Sequence, residues 1–155
     1  MELLQSWNSQ AAVSHLVALG VAYLLTLPIG WNREREERSA GLRTFPLVAM
    51  AACGFVMIAI EVIGPDSEQQ SRIMEGLMTG IGFIGGGAIL KQGDRARGTA
   101  TAASLWATGA IGAAVGYGQL DIAVILSLVT VLTLILMTPL RKVVQEGAEP
   151  DGDDV

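Results

Sequence analysis

A glycine-rich apolar run constrains the fold of this chain more than any other feature. The stretch from residue 73 to 90 is largely apolar, yet six glycines fall between Gly76 and Gly87. In water each glycine costs a helix about 1 kcal/mol relative to alanine. In a bilayer the helix is enforced because backbone polar groups find no water there, and small residues let neighbouring helices approach closely. We therefore predict a membrane-spanning helix at the centre of a helix bundle.

Glycines four residues apart occur in this run and again in a later Gly/Ala-rich segment, where Gly112 and Gly116 form such a pair. Two helices of this kind, joined by a short basic loop, favour a tight hairpin. The glycines that we expect to form helix–helix contacts are Gly76, Gly80, Gly82, Gly85, Gly86, Gly87, Gly109, Gly112 and Gly116. These small-residue faces exceed what one hairpin needs, so we also expect a homo-oligomer, most simply a dimer.

Two nucleotide-binding patterns are excluded by their context. Gly80, Gly82 and Gly85 have the spacing of a dinucleotide fingerprint, but that motif needs a preceding strand and an acidic residue about 20 positions on. Here the glycines lie within an apolar run, and the positions in question hold Leu105 and Trp106. The basic residue after the run follows a leucine and precedes no Ser or Thr, so a phosphate loop is excluded as well. We expect no cofactor and no nucleic-acid partner.

Composition favours a polytopic membrane protein. Hydrophobic residues make up 51% of the chain and charged residues only 16%, whereas soluble domains carry about 25% charged residues. Five apolar segments each approach the roughly 20 residues that cross a bilayer, namely 11–30, 44–63, 73–90, 99–117 and 122–140. The predicted fold class is an all-α bundle of five transmembrane helices over residues 1–142. Residues 143–155 form an acidic tail that we expect to be disordered.

The basic residues predict an orientation. Nine of the ten lie after the first, third and fifth apolar segments, and only Arg72 lies elsewhere. With five spans these nine share one side of the membrane. Because cytoplasmic loops are enriched in Lys and Arg, the pattern places the N-terminus outside and the C-terminus in the cytoplasm. The first of these loops, rich in Arg and Glu, is either a solvated membrane edge or a recognition surface.

No residues suggest catalysis, so we expect a protein that is not an enzyme. The acidic residues near the outer ends of the spans leave two interpretations open: they reach lipid headgroups, or they form an external site for a hard divalent cation. These residues are Glu61, Asp66, Glu68, Glu75 and Asp121. Cys53 and His15 are single, so no structural metal site is expected.

Three segments, read together, resemble the MgtC/SapB family of bacterial inner-membrane proteins. They are GWNREREERSAGLRTFPLV, RIMEGLMTGIGFIGGGAILKQG and RGTATAASLWATGAIGAAVGYGQL. The resemblance covers nearly the whole chain from the first span to the fifth. It implies a five-span, multi-pass protein of the bacterial inner membrane that is linked to magnesium limitation and acid stress. It also implies other inner-membrane proteins as partners, including the ATP synthase and ion-transport regulators.

The resemblance further implies which residues form a functional or partner-binding motif: Arg33, Glu34, Gly41, Leu42, Arg43, Thr44, Lys91, Thr101 and Trp106. Two departures from the family pattern stand out. Ala100 occupies a position that is usually polar, and only about fifteen residues follow the last span, where longer members carry a soluble domain.

Two functions remain open at this point. One is a regulator whose small-residue face packs against a partner's helices while the Arg/Glu loop gives specificity. The other is a small oligomeric transporter of magnesium or another cation, for which Gly85 to Gly87 would form a helix interruption near mid-bilayer and Thr79 would add a polar group.

Overall fold

The structure is a computed structural model that describes residues 8–36, 40–92 and 95–146. Within these ranges the chain forms five helices and one two-stranded hairpin, as the sequence predicted for the helices. They are α1 (Ser9–Glu36), α2 (Thr44–Ile63), α3 (Gln70–Gly87), β1 (Leu90–Gln92), β2 (Arg95–Arg97), α4 (Thr99–Gly116) and α5 (Leu120–Glu146). The acidic-tail prediction concerns residues 143–155, of which 143–146 belong to α5 and the rest lie outside the described residues.

Three of these helices are long and apolar enough to cross a membrane: α1, α2 and the Leu120–Pro139 part of α5. Among the described residues, α3 and α4 do not reach that hydropathy. In α3 the cause is the polar first turns, with Gln70, Arg72 and Glu75, together with its glycines; in α4 it is the content of glycine, alanine and threonine. Each has 18 residues and therefore extends about 27 Å.

The predicted helix bounds are close to those observed, with three larger differences at C-terminal ends. The first helix continues past the predicted residue 30 to Glu36, and the last continues past residue 140 to Glu146. The third helix stops at Gly87 instead of Leu90, and the chain then forms an antiparallel pair in which Leu90 lies opposite Arg97. Pro46 falls in the first turn of α2, where its missing N–H leaves no hydrogen bond unmade.

The central helix is α4, and the prediction that the 76–87 glycine run would be central is wrong. Half of α4 is buried, including Leu105, Gly109 and Ile111. It packs against each of the other four helices and most extensively against α2. One face of α2, through Ala49, Cys53 and Val56, is buried.

In contrast, α3 lies at the edge of the bundle, and only three of its described residues are buried: Gln70, Ile81 and Gly85. Its contacts are with α4 and, to a smaller extent, α2. The physical reason is the placement of its glycines. Successive residues of an α-helix are rotated by about 100°, so glycines at 80, 82, 85 and 87 point in different directions and cannot all face one neighbour.

Side-chain hydrogen bonds fix the helices at two further points. The Ser127 hydroxyl of α5 donates to the Leu25 carbonyl of α1 over 2.6 Å. The Tyr117 hydroxyl at the end of α4 donates to Gln70 Oε1 over 3.0 Å, and Gln70 Nε2 donates to the Gly64 carbonyl over 2.7 Å. The two hydrogen bonds through Gln70 connect the end of α4 to the segment between α2 and α3.

Most of the described basic residues lie at one end of the bundle. The end of α1 contacts the start of α2, and the end of α3 contacts the start of α4. Because α2 and α4 run in parallel, with Gly112 beside Ala49 and Gly116 beside Cys53, these two junctions share one end. That end carries the exposed basic residues Arg35, Arg43, Lys91 and Arg97.

Candidate functional site

An apolar groove of about 770 Å³ separates α2 from α3. The groove exists because α3 packs against α4 through Ile81 and Gly85. In addition, two of the α3 residues that line the groove are glycines, which have no side chains to fill it. The residues that line it are Arg43, Thr44, Leu47, Val48, Ala51, Ala52, Phe55, Arg72, Ile73, Gly76, Leu77, Gly80, Ile81 and Ile84. The only charged members are the two arginines, and among the described residues no acid lines the groove.

The glycines of α4 make close contacts within the chain. An added Cβ at Gly112 would lie 2.8 Å from both the Cα and the carbonyl carbon of Ala49, and one at Gly116 would lie 2.7 Å from Val56 Cβ. At Gly109 it would meet the Ile81 side chain. These three glycines let α4 approach α2 and α3 more closely than any larger residue would permit.

Most glycines of α3 face open space. At Gly76, Gly80, Gly82, Gly86 and Gly87 an added Cβ would meet nothing within 4 Å, whereas at Gly85 it would lie 3.3 Å from the Ala102 carbonyl oxygen. Within one chain, therefore, only one of the six α3 glycines makes a close helix contact. Two of the open ones, Gly82 and Gly86, are four residues apart and so share one face of the helix. Neither lines the groove.

The first-loop motif divides into a structural part and an exposed part. Arg33 is buried, and its guanidinium donates to the Asn32 amide oxygen over 2.7 Å. A carboxylate oxygen of Glu34 accepts from the Leu42 backbone N–H over 3.1 Å. An added Cβ at Gly41 would meet that carboxylate, so any larger residue would displace the Glu34 side chain from this position. These residues hold the turn before α2 against the end of α1.

Arg43 and Thr44 follow this turn and line the end of the groove. The Arg43 side chain is exposed, while Thr44 is half-buried. Neither has a side-chain hydrogen bond or ion pair with any residue that the structure describes. The motif therefore presents a cation at the mouth of the groove and uses its other members to fix that position.

The remaining motif residues lie around the junction of α3 and α4. Lys91 is exposed on β1, and Thr101 is buried on α4. Trp106 is 49% exposed on α4. It borders a small apolar cavity of about 80 Å³, together with Met78 and Gly109. The structure thus does not bring Trp106 to the groove or to Arg43.

Sequence reasoning singled out Thr101 but missed the two other buried hydroxyls of the same helix, those of Ser104 and Thr108. Thr101, Ser104 and Thr108 are all buried on α4. Ser104 donates to the Ala100 carbonyl over 2.7 Å, whereas Thr108 Oγ1 has no hydrogen-bond partner among the described residues. The signal was available in the sequence, because positions 101, 104 and 108 follow helical spacing.

The hypothesis of an external divalent-cation site has no geometric basis in the described part of the chain. Nowhere in it do three His, Cys, Asp or Glu residues come together as a group that could hold a metal ion. The acidic residues that were considered for this cation site, such as Glu61 and Glu75, are exposed.

These features define a helical membrane protein with a tightly packed central helix and an open, glycine-bearing edge helix. The profile of the MgtC family matches residues 19–143, and the chain belongs to that family. No solved structure matches the chain significantly.

Three relatives show how far the similarity extends. Protein SrpB of Synechococcus elongatus is 39% identical over 126 residues, which cover 74% of this chain and 69% of SrpB. Protein MgtC of Brucella abortus is 37% identical over 141 residues, covering 90% of this chain and 58% of that protein. Protein MgtC of Salmonella typhimurium is 37% identical over 123 residues, covering 79% and 52%. The chain thus spans a little over half the length of the two MgtC proteins.

Proposed function

We propose that this chain is a non-enzymatic regulator of other inner-membrane machines, such as the ATP synthase or ion-transport systems, during magnesium limitation or acid stress. The observation that carries the proposal is the open glycine face of α3. Gly82 and Gly86 lie on one face, an added Cβ at either would meet no described residue within 4 Å, and both lie near Phe83, which is 85% exposed. In lipid, such a small-residue face is the surface on which another transmembrane helix packs closely.

The proposal includes the topology. All five helices cross the bacterial inner membrane, with the N-terminus outside and the C-terminus in the cytoplasm. Its support is the position of Arg35, Arg43, Lys91 and Arg97, which share one end of the bundle and match the cytoplasmic enrichment of basic residues. Although α3 and α4 are less apolar than the other helices, α4 is largely shielded from lipid by its neighbours.

Partner docking follows from these two features. A transmembrane helix of the partner would pack along Gly82 and Gly86, while the exposed basic end of the bundle would contact its cytoplasmic loops. A second copy of the chain would use the same glycine face, so a dimer and a regulator–target complex would compete for it.

Co-purification from native membranes tests the proposal. Wild-type chain should retain a membrane protein in stoichiometric amount, and Gly82→Leu should lose it. The change should not unfold the chain, because position 82 has open space around it. Gly20→Leu is the matched control, since Gly20 also meets nothing within 4 Å but lies on α1. Absence of any stoichiometric partner, together with normal ATP level and membrane potential in a deletion strain, would contradict the proposal.

The second candidate function is that of a small oligomeric cation transporter. The observation that favours it is the row of buried hydroxyls on α4, above all the unpartnered Thr108 Oγ1. Hydroxyls inside a bundle are typical of ion pathways in transporters. Liposomes that contain the purified protein distinguish the candidates: a flux of Mg²⁺, K⁺ or H⁺ that Thr108→Val abolishes supports transport, and no flux of any of the three excludes it.

A further inference from the structure

The groove between α2 and α3 has the dimensions of a lipid site. Its lining runs from Arg43, the residue before α2, to Phe55 and from Arg72 to Ile84 on α3, which is thirteen residues and twelve helical rises on each side. At the α-helical rise this corresponds to a length of about 18 Å. One leaflet of the hydrocarbon core is about 15 Å deep. The groove is therefore long enough for acyl chains that reach from the membrane surface to mid-bilayer.

The walls of the groove are those of an acyl-chain site. Apart from its ends, the lining is made of aliphatic and aromatic side chains and two glycines, and Leu47 and Phe55 are exposed toward the space. Gly76 and Gly80 leave that space open, because nothing lies within 4 Å of a Cβ built on either.

The two ends of the groove differ in charge. Because α2 and α3 are consecutive antiparallel helices, Arg43 and Arg72 lie at opposite ends. Among the described side chains, the Arg43 end has more exposed basic residues than acidic ones: besides Arg43 it carries Arg35, Lys91 and Arg97, against Glu34 and Glu36. Arg72 instead lies close in sequence to exposed acidic residues of the α2–α3 connection and of α3. An anion is therefore attracted more strongly to the Arg43 end.

The Arg43 guanidinium is available to such an anion. It is exposed and forms no ion pair with a residue that the structure describes. A guanidinium binds phosphate oxygens through paired, charge-assisted hydrogen bonds. Basic pockets between transmembrane helices on the cytoplasmic side of the membrane are known to bind anionic headgroups.

We propose that the α2–α3 groove binds one anionic phospholipid, with its phosphate against Arg43 and its acyl chains along the apolar walls. The bound lipid fills the gap that the glycines of α3 leave and so joins α3 to α2. This site is separate from the Gly82/Gly86 face and does not depend on which protein that face contacts.

Lipid retention measured by native mass spectrometry tests this proposal. The chain is reconstituted in nanodiscs with equal amounts of palmitoyl-oleoyl phosphatidylglycerol and palmitoyl-oleoyl phosphatidylcholine, which share acyl chains and differ in net charge. After mild detergent extraction, we expect one retained phospholipid per chain and about a fivefold preference for phosphatidylglycerol, since one arginine near an anionic surface contributes about 1 kcal/mol.

Five variants separate the roles of headgroup and chains. Arg43→Gln should remove the preference for phosphatidylglycerol, while its matched control Arg35→Gln should retain it. Gly80→Leu should reduce retention of both lipids by filling the groove, while Gly82→Leu, a glycine outside the groove, should not. Arg43→Lys serves as a second headgroup variant that keeps the charge, and it should keep most of the preference. Helicity by circular dichroism confirms that each variant is folded.

Several results would overturn the proposal. They are no retained lipid, equal retention of both lipids by the wild type, or loss of the preference in Arg72→Gln but not in Arg43→Gln. A photo-crosslinker at Leu47, which lines the groove, should form lipid adducts in native membranes. A protein adduct at that position would assign the groove to a partner helix instead.

Discussion

Gly112→Ala tests the close contact between α4 and α2. An alanine Cβ at this position would lie 2.8 Å from both the Cα and the carbonyl carbon of Ala49. Optimal carbon–carbon separation is about 3.5–4.0 Å, so the helices would have to separate by most of an ångström. Backbone atoms of a packed helix cannot rotate out of the way as a side chain would, and the helices themselves must move.

The expected magnitude follows from two opposing terms. Overpacking costs about 1–3 kcal/mol, while replacing glycine by alanine in a helix gains up to about 1 kcal/mol. We therefore expect Gly112→Ala to lower the free energy of unfolding by about 1–2 kcal/mol, taking the difference of these terms. Gly82→Ala is the matched control: nothing lies within 4 Å of its Cβ, so it should be neutral or slightly stabilising.

The assay is reversible unfolding of both variants in mixed micelles, followed by circular dichroism as the fraction of denaturing detergent rises. The reasoning would be refuted if Gly112→Ala and Gly82→Ala had equal free energies of unfolding, or if Gly82→Ala were the more destabilised variant.

Two further predictions concern the ends of the bundle. Gly98 has φ +90° and an added Cβ would lie 3.0 Å from the Ala88 carbonyl carbon, whereas Gly118 has φ +74° with open space around it. Gly118→Ala should therefore lower the free energy of unfolding only by the strain of the left-handed conformation, about 1–2 kcal/mol. Gly98→Ala should lower it by more, because of the additional contact with Ala88. Equal thermal unfolding midpoints of the two variants would contradict the close contact at the α3–α4 junction. Tyr117→Phe removes the hydroxyl that donates to Gln70 over 3.0 Å. It should lower the free energy of unfolding by about 1 kcal/mol and speed amide hydrogen exchange over residues 64–70. Unchanged exchange in that segment would mean that this hydrogen bond does not hold the α2–α3 connection.

The sequence predicted the helices well because their apolar segments are bounded by strong signals. The span 44–63 coincides with α2, since it starts at a polar turn after Arg43 and ends before Gly64, which adopts φ +93°. The clustering of the basic residues at one end of the bundle was also predictable, because alternating short connections force consecutive helices to run in opposite directions.

The identity of the central helix was harder to predict. Both Gly-rich segments contain glycines four residues apart, and that spacing does not tell whether the neighbour belongs to the same chain. The informative signal was the side of the helix on which each glycine lies. In α4, Gly109, Gly112 and Gly116 share one face, whereas the α3 glycines are distributed around the helix. A helix with glycine on several sides cannot bury all of them within one small bundle.

The hairpin after α3 was missed, although its signal was present. The two strands are separated in sequence by Gly93 and Asp94, a pair typical of two-residue hairpin connections. The basic residues on both sides of that pair were used to predict the orientation and, for Lys91, a functional motif, but not a hairpin. The groove was not predictable, because its width depends on the position of α3 relative to α4. That position is set by the contacts of Ile81 and Gly85 with α4.

Photo-crosslinking at position 83 tests most directly whether the open edge of α3 is a protein-docking surface. A benzoylphenylalanine there replaces a phenylalanine that is 85% exposed, and the same group at Leu132, 53% exposed on α5, serves as the control. In native membranes we expect a discrete protein adduct from position 83 and only lipid adducts from position 132. Lipid adducts alone at position 83 would contradict the account.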